Sequence, residues 1–95
     1  MLVVLRFDVP EGGAEEFLPQ AQAALQAFAA RPGFVRGRIG RATDEPGSWV
    51  VATEWVGVGA YRRSLSAYDV KLLAPFLGAA RPEASAFEVL ASEDA

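Results

Sequence analysis

The stretch Ser48-Trp49-Val50-Val51-Ala52-Thr53-Glu54-Trp55-Val56 decides how this chain is read. Side chains alternate across a β-strand, so Trp49, Val51, Thr53 and Trp55 share one face, and Val50, Ala52 and Val56 share the other. Glu54 is the single charge among them, and neither face is polar. Because a sheet with one face in water alternates cleanly between apolar and polar residues, this strand is expected to be covered on both sides.

Moving outward, Asp44-Glu-Pro-Gly47 is turn-forming, and Phe34-Val-Arg-Gly-Arg-Ile-Gly-Arg41 on its other side reads as the partner strand of an antiparallel hairpin. Arg36 and Arg38 are expected on one strand face with Phe34. Upstream, Leu2-Val-Val-Leu-Arg-Phe-Asp8 is a first strand that ends at Val9-Pro10 and Gly12-Gly13. In it Val3, Leu5 and Phe7 oppose Leu2 and Val4, again without a polar face. Phe17, Ala21, Leu25 and Phe28 recur at helical spacing, predicting a helix from about Glu15 to Ala30 that Arg31-Pro32-Gly33 stops. Pro19 requires either a helix start just before it or a kink.

Downstream, Gly57 to Ala60 breaks the strand pattern. Tyr61 to about Ser66 and Asp69 to about Ala80 read as one helix in two pieces, with Leu72, Leu73, Phe76 and Leu77 as its apolar stripe. Pro82 ends it. Ser85 to Leu90 is a fourth strand before the acidic tail of residues 91–95. The order βαββαβ is the split βαβ, ferredoxin-like α+β arrangement, a four-stranded antiparallel sheet with both helices on one face. The other face needs a cover of its own, and a second copy of the same sheet, related by a two-fold axis, is the economical one.

Composition bounds the function. Ninety-five residues fit one domain, residues 1–95 with a core of about 2–90, and 52% of them are apolar. No apolar run approaches the ~20 residues of a membrane span, and no secretory signal pattern precedes Leu2, so a cytoplasmic location is expected. Net charge is −3 and the isoelectric point about 4.8, a field that repels polyanions and argues against nucleic acid as a partner. Eight of the nine basic residues are Arg, which fits a compositional bias of the genome as readily as a function.

Cysteine is absent, which removes disulfides and thiolate chemistry. Histidine is absent too, so neither an imidazole base nor a histidine ligand to haem or metal is available, and with carboxylates alone left no metal cofactor is expected.

Thr53-Glu54-Trp55, the Val56 to Ala60 connection and Tyr61-Arg62 resemble the strand-to-helix junction of antibiotic-biosynthesis monooxygenase domains. Arg31-Pro-Gly-Phe-Val35 is similar to the Pro-Gly-Phe turn those domains carry before their second strand. The resemblance spans roughly Leu2 to Leu90. It implies a dimeric α+β barrel, joined through the sheet faces, with a pocket between sheet and helices in each subunit. In its quinol-oxidising branch, which uses neither metal nor flavin, an Asn, a Trp and a Tyr bind and deprotonate substrate. Trp55 and Tyr61 match two of these as catalytic candidates. Val51 stands at the Asn position, and the chain contains no asparagine at all.

The haem-degrading branch requires a histidine and is excluded. Phe34, Arg38, Val51 and Tyr68 join Trp55 and Tyr61 as substrate-binding candidates for a small aromatic compound. Glu54 is expected to form an ion pair across the subunit boundary, with Arg41 as a candidate partner, and Asp8 is a weaker candidate base. The competing reading is a non-catalytic dimeric ligand-binding or stress-response domain of the same fold. Acylphosphatase-like hydrolysis, on the same topology, lacks its Asn and its phosphate-cradling loop.

Overall fold

The computed structural model describes residues 1–95. Strands β1 (Leu2–Asp8), β2 (Phe34–Arg41), β3 (Ser48–Trp55) and β4 (Ala86–Phe87) form one antiparallel sheet in the order β2-β3-β1-β4. Helices α1 (Ala14–Ala29), α2 (Val58–Ser64), α3 (Tyr68–Lys71) and α4 (Ala74–Gly78) complete the chain. This is the expected ferredoxin-like α+β topology. No helix is long and apolar enough to cross a membrane.

Strand β3 sits between β2 and β1, and its burial alternates without a fault: Trp49, Val51, Thr53 and Trp55 are buried, while Val50, Ala52 and Glu54 are only half-buried. The buried set faces the helices. There Val3, Phe28, Trp55, Ala60 and Val70 form one core cluster, and Phe7, Val9, Ala21, Trp49 and Val51 form a second, with Leu5 touching both. Val4, Val50 and Ala52 are left on the open face, along with the exposed Leu2 and Arg6. In a single chain that apolar surface has no cover.

Four expectations change. The Pro19 question resolves into an uninterrupted α1: Pro19 lies on its exposed face, so water can satisfy the carbonyl one turn back that Pro19 cannot serve. The second helix comes in three pieces rather than two. The expected break is at Ser66 and Ala67, which bond back three residues, to Arg63 and Ser64, and end α2; the additional one follows Lys71, where Leu73 bonds back three residues to Val70 and Pro75, which has no N–H to give, falls at the start of α4. Part of the expected stripe is therefore lost, with Leu72 exposed and no residue of α4 buried.

The fourth strand shortens from Ser85–Leu90 to Ala86–Phe87: Ser85 still takes the Val4 N–H on its carbonyl at 2.7 Å, but past Phe87 no residue pairs with β1, and Val89 and Leu90 are exposed. Lastly, β3 ends at Trp55, not Val56. Val56 leaves the sheet with its N–H on the carbonyl of Gly33 at 2.9 Å.

Candidate functional site

Gly33 shows how the local sequence builds the site. Its φ of +87° lies in the left-handed region, and a Cβ there would meet the Ala60 Cβ at 2.5 Å and Val56 Cγ2 at 3.0 Å. Only glycine fits so close to α2. The Pro32-Gly33-Phe34 turn and the Gly57-to-Tyr61 junction, far apart in sequence, are thereby pressed together. Phe34 is delivered against Trp55 at 5.3 Å between ring centroids, in an edge-on geometry.

Trp55 is 2% exposed and stands at the centre of this cluster. Phe28 meets it edge-on at 5.8 Å, and Tyr61 lies at 5.6 Å. Its indole N–H donates to Thr53 Oγ1 at 2.9 Å, a side-chain pair wholly within the core. That N–H is thus already committed, and Trp55 offers a neighbour its ring face. Tyr61 differs. No group in the chain bonds its hydroxyl, and burial pushes its pKa above the ordinary 10.0, so the phenol stays protonated at neutral pH and can donate.

Of the six candidate residues, Phe34, Trp55 and Tyr61 are brought together. Val51, 1% exposed, shares the Trp55 face but packs in the neighbouring cluster with Leu5 and Ile39. Arg38 lies elsewhere. A register shift between Phe34 and Arg36 changes the phase of β2, so that Phe34 turns to the helices while Arg36 and Arg38 turn to the open face. The expected shared face of Phe34, Arg36 and Arg38 is not formed. Tyr68, at the start of α3, is 74% exposed.

Glu54 pairs within its own chain, at 3.6 Å from both Arg36 and Arg38. Arg41 instead stacks over Trp49, with its guanidinium carbon 5.4 Å from the ring centroid. Asp8 is bound up with Arg81 at 3.9 Å. Two residues that hold Trp55, Phe28 against its ring and Thr53 on its N–H, were not among the candidates. Thr53 had a readable signal, since residues i and i−2 of a strand share a face and a buried indole N–H needs an acceptor.

None of the five principal cavities is lined by Trp55 or Tyr61; Phe28, Phe34, Ala60 and Val70 pack in the same core around them. The layer between sheet and helices opens further along, where a cavity of about 220 Å³ lies among Phe7 and Asp8 of β1, Phe17 and Gln20 of α1, and Pro75, Phe76 and Ala79 in and beside α4. Phe7, Phe17 and Phe76 form its aromatic wall, with centroids 4.8 to 5.6 Å apart. No group of three or more carboxylates is placed to hold a metal ion.

Residues 1–71 match the family described as antibiotic biosynthesis monooxygenase. Among solved structures, the chain is similar to SnoaB from Streptomyces nogalater, a cofactor-independent oxygenase, at 30% identity over 96% of both chains, with a TM-score of 0.74. An asparagine-to-alanine variant of SnoaB superposes with a TM-score of 0.76 at the same identity and coverage. A protein of Mycobacterium tuberculosis shares the fold at 17% identity, covering 99% of this chain and 95% of its own, with a TM-score of 0.72. No curated protein sequence matches the chain.

Proposed function

The chain belongs to the antibiotic biosynthesis monooxygenase family, and from that premise we propose that it is a cofactor-independent monooxygenase acting on a small aromatic or quinol-type compound held between sheet and helices. The observation that carries this reading is the pairing of Trp55 and Tyr61: a fixed indole face beside a half-buried phenol with no partner of its own. An electron-rich phenol, once deprotonated, can itself reduce O₂. Tyr61, held protonated by its surroundings, donates to the developing phenolate oxygen and does not serve as the base. Trp55 walls the substrate plane. For an anthrone, the ring CH₂ carbon gains one oxygen atom as a carbonyl, and its two hydrogens leave with the other oxygen as water.

Phe34 supplies an edge of this site and Val51 its apolar floor, while Arg38 and Tyr68 can reach bound substrate only across a subunit boundary or after rearrangement. Substrate reaches Trp55 from the cavity beside Phe7 and Phe76 by parting the helical layer from the sheet. The part of that layer most readily lifted is α4, five residues long with none fully buried and held by the half-buried Phe76 and Leu77. A second copy covers the open sheet face in this reading, burying Val4, Val50 and Ala52.

The test is O₂ uptake with a chemically broad panel of hydroquinones and anthrones. Consumption above a denatured control, lost on Tyr61→Phe, supports the reading; none across the panel sinks it. The tight packing around Trp55 and Tyr61 favours a second reading, a non-catalytic dimeric ligand-binding domain. Recovery of a bound aromatic compound, unchanged, from the purified protein supports that one.

A further inference from the structure

The largest of the principal cavities, about 430 Å³, is not in the helix-covered layer at Trp55 but at the opposite end of β3, between the β1–α1 connection and the β2–β3 hairpin. Trp55 lies six positions along the strand from Trp49, which places the two sites roughly 20 Å apart. Val9, Pro10 and Pro46 give the recess apolar walls, Trp49 and Arg41 line it, and Glu11 is the one carboxylate on its wall. Its volume falls within the range of small-molecule sites.

Trp49 is held firmly: its indole N–H donates to the carbonyl of Pro46 at 3.1 Å, and the residue is buried. The Arg41 guanidinium rests over that ring. Stacking orients a guanidinium while leaving its N–H donors free. Arg6, Arg36, Arg38 and Arg81 each face a carboxylate of the chain, whereas Arg41 faces none. Arg31, Arg62 and Arg63 are equally without a carboxylate but line none of the principal cavities.

We infer that the Arg41–Trp49 recess is a second binding site, for a small organic carboxylate with a flat apolar body. The carboxylate takes the free edge of the Arg41 guanidinium in a two-point hydrogen bond, and the body lies against Trp49 and the prolines. Glu11 opposes the ligand charge from the far wall. This site stands apart from the monooxygenase reading and does not depend on it.

Trp49 and Trp55 are the only tryptophans, so the full-length protein reports each site by its own indole N–H resonance, assigned with Trp49→Phe and Trp55→Phe. Titration with phenylacetate is expected to move the Trp49 resonance, saturating with a midpoint of about 1 mM or below, ordinary for so small a ligand, while Trp55 stays still. Phenylacetamide, the same body without the charge, leaves both in place. Arg41→Gln, an exposed position, is expected to weaken binding at least about ten-fold, and Glu11→Gln to tighten it roughly two-fold. A response at Trp55 in place of Trp49, an equal response to the amide, or undiminished binding by Arg41→Gln overturns the site.

Discussion

The indole N–H of Trp55 is bonded to the hydroxyl of Thr53, two residues earlier on the same strand face, at 2.9 Å and out of reach of water. Thr53 and Ser64 are the only polar residues buried in the fold, so this bond fixes the rotation of the ring around which the site is built. Thr53→Val keeps the shape and removes the acceptor, leaving a buried donor unpaired at a cost of about 1–3 kcal/mol. A lowered unfolding midpoint in denaturant with an unchanged m-value is expected, and Thr53→Ser should recover most of the loss. Equal stability of the valine variant would show that the bond contributes nothing.

Gly33 allows no side chain. With φ at +87° and Ala60 in the way, Gly33→Ala is expected to destabilise by roughly 2 kcal/mol or more, lowering the thermal midpoint by about 10 °C in a domain of this size. Gly12, at φ +81°, has open space around it, so Gly12→Ala meets the backbone cost alone and should lose less. Calorimetry on the two variants separates strain from collision.

Tyr61 carries a pH signature. Burial raises its folded-state pKa above 10.0, so as pH passes that value the unfolded chain loses the phenolic proton before the folded one does. The unfolded state then binds fewer protons, and stability falls with rising pH, having been fully present below 10.0. Denaturant midpoints measured for wild type and Tyr61→Phe should run parallel at neutral pH and diverge in alkali, the phenylalanine variant losing less. Parallel curves throughout would mean that the hydroxyl is solvated.

Catalysis should separate the two aromatic residues. Tyr61→Phe removes a donor to the phenolate and is expected to lower kcat roughly a hundred-fold. Trp55→Phe leaves a smaller planar wall and should raise KM more than it lowers kcat. Steady-state O₂ consumption reads both. The reverse pattern would reassign the donor role.

The open sheet face predicts self-association. Val4, Val50 and Ala52 face outward from the middle of the sheet, and Val4→Glu places a charge among them without touching the helix-side core. Wild type is expected to sediment as a dimer at micromolar concentration and Val4→Glu as a monomer with the same circular dichroism. A monomeric wild type would remove the partner from the functional reading.

Leu2–Asp8, Phe34–Arg41, the alternation through Ser48–Trp55 and the long first helix were all legible in the sequence, because each depends on a period of two or 3.6 residues that a few neighbours set. Trp55 and Tyr61 were legible as neighbours, since only a short strand-to-helix junction separates them, and their rings lie 5.6 Å apart. Tertiary structure alone decided the rest. One irregularity in β2 reversed the phase that periodicity assumes and sent Phe34 to one side of the sheet and Arg38 to the other. A short-range bond from Leu73 back to Val70, with Pro75 just beyond it, cut the stripe of Leu72, Leu73, Phe76 and Leu77 between two short helices. Whether space opens beside an aromatic ring depends on residues brought in from distant segments, as Gly33 brings Phe34 and Ala60 to Trp55, and no local pattern encodes such a contact.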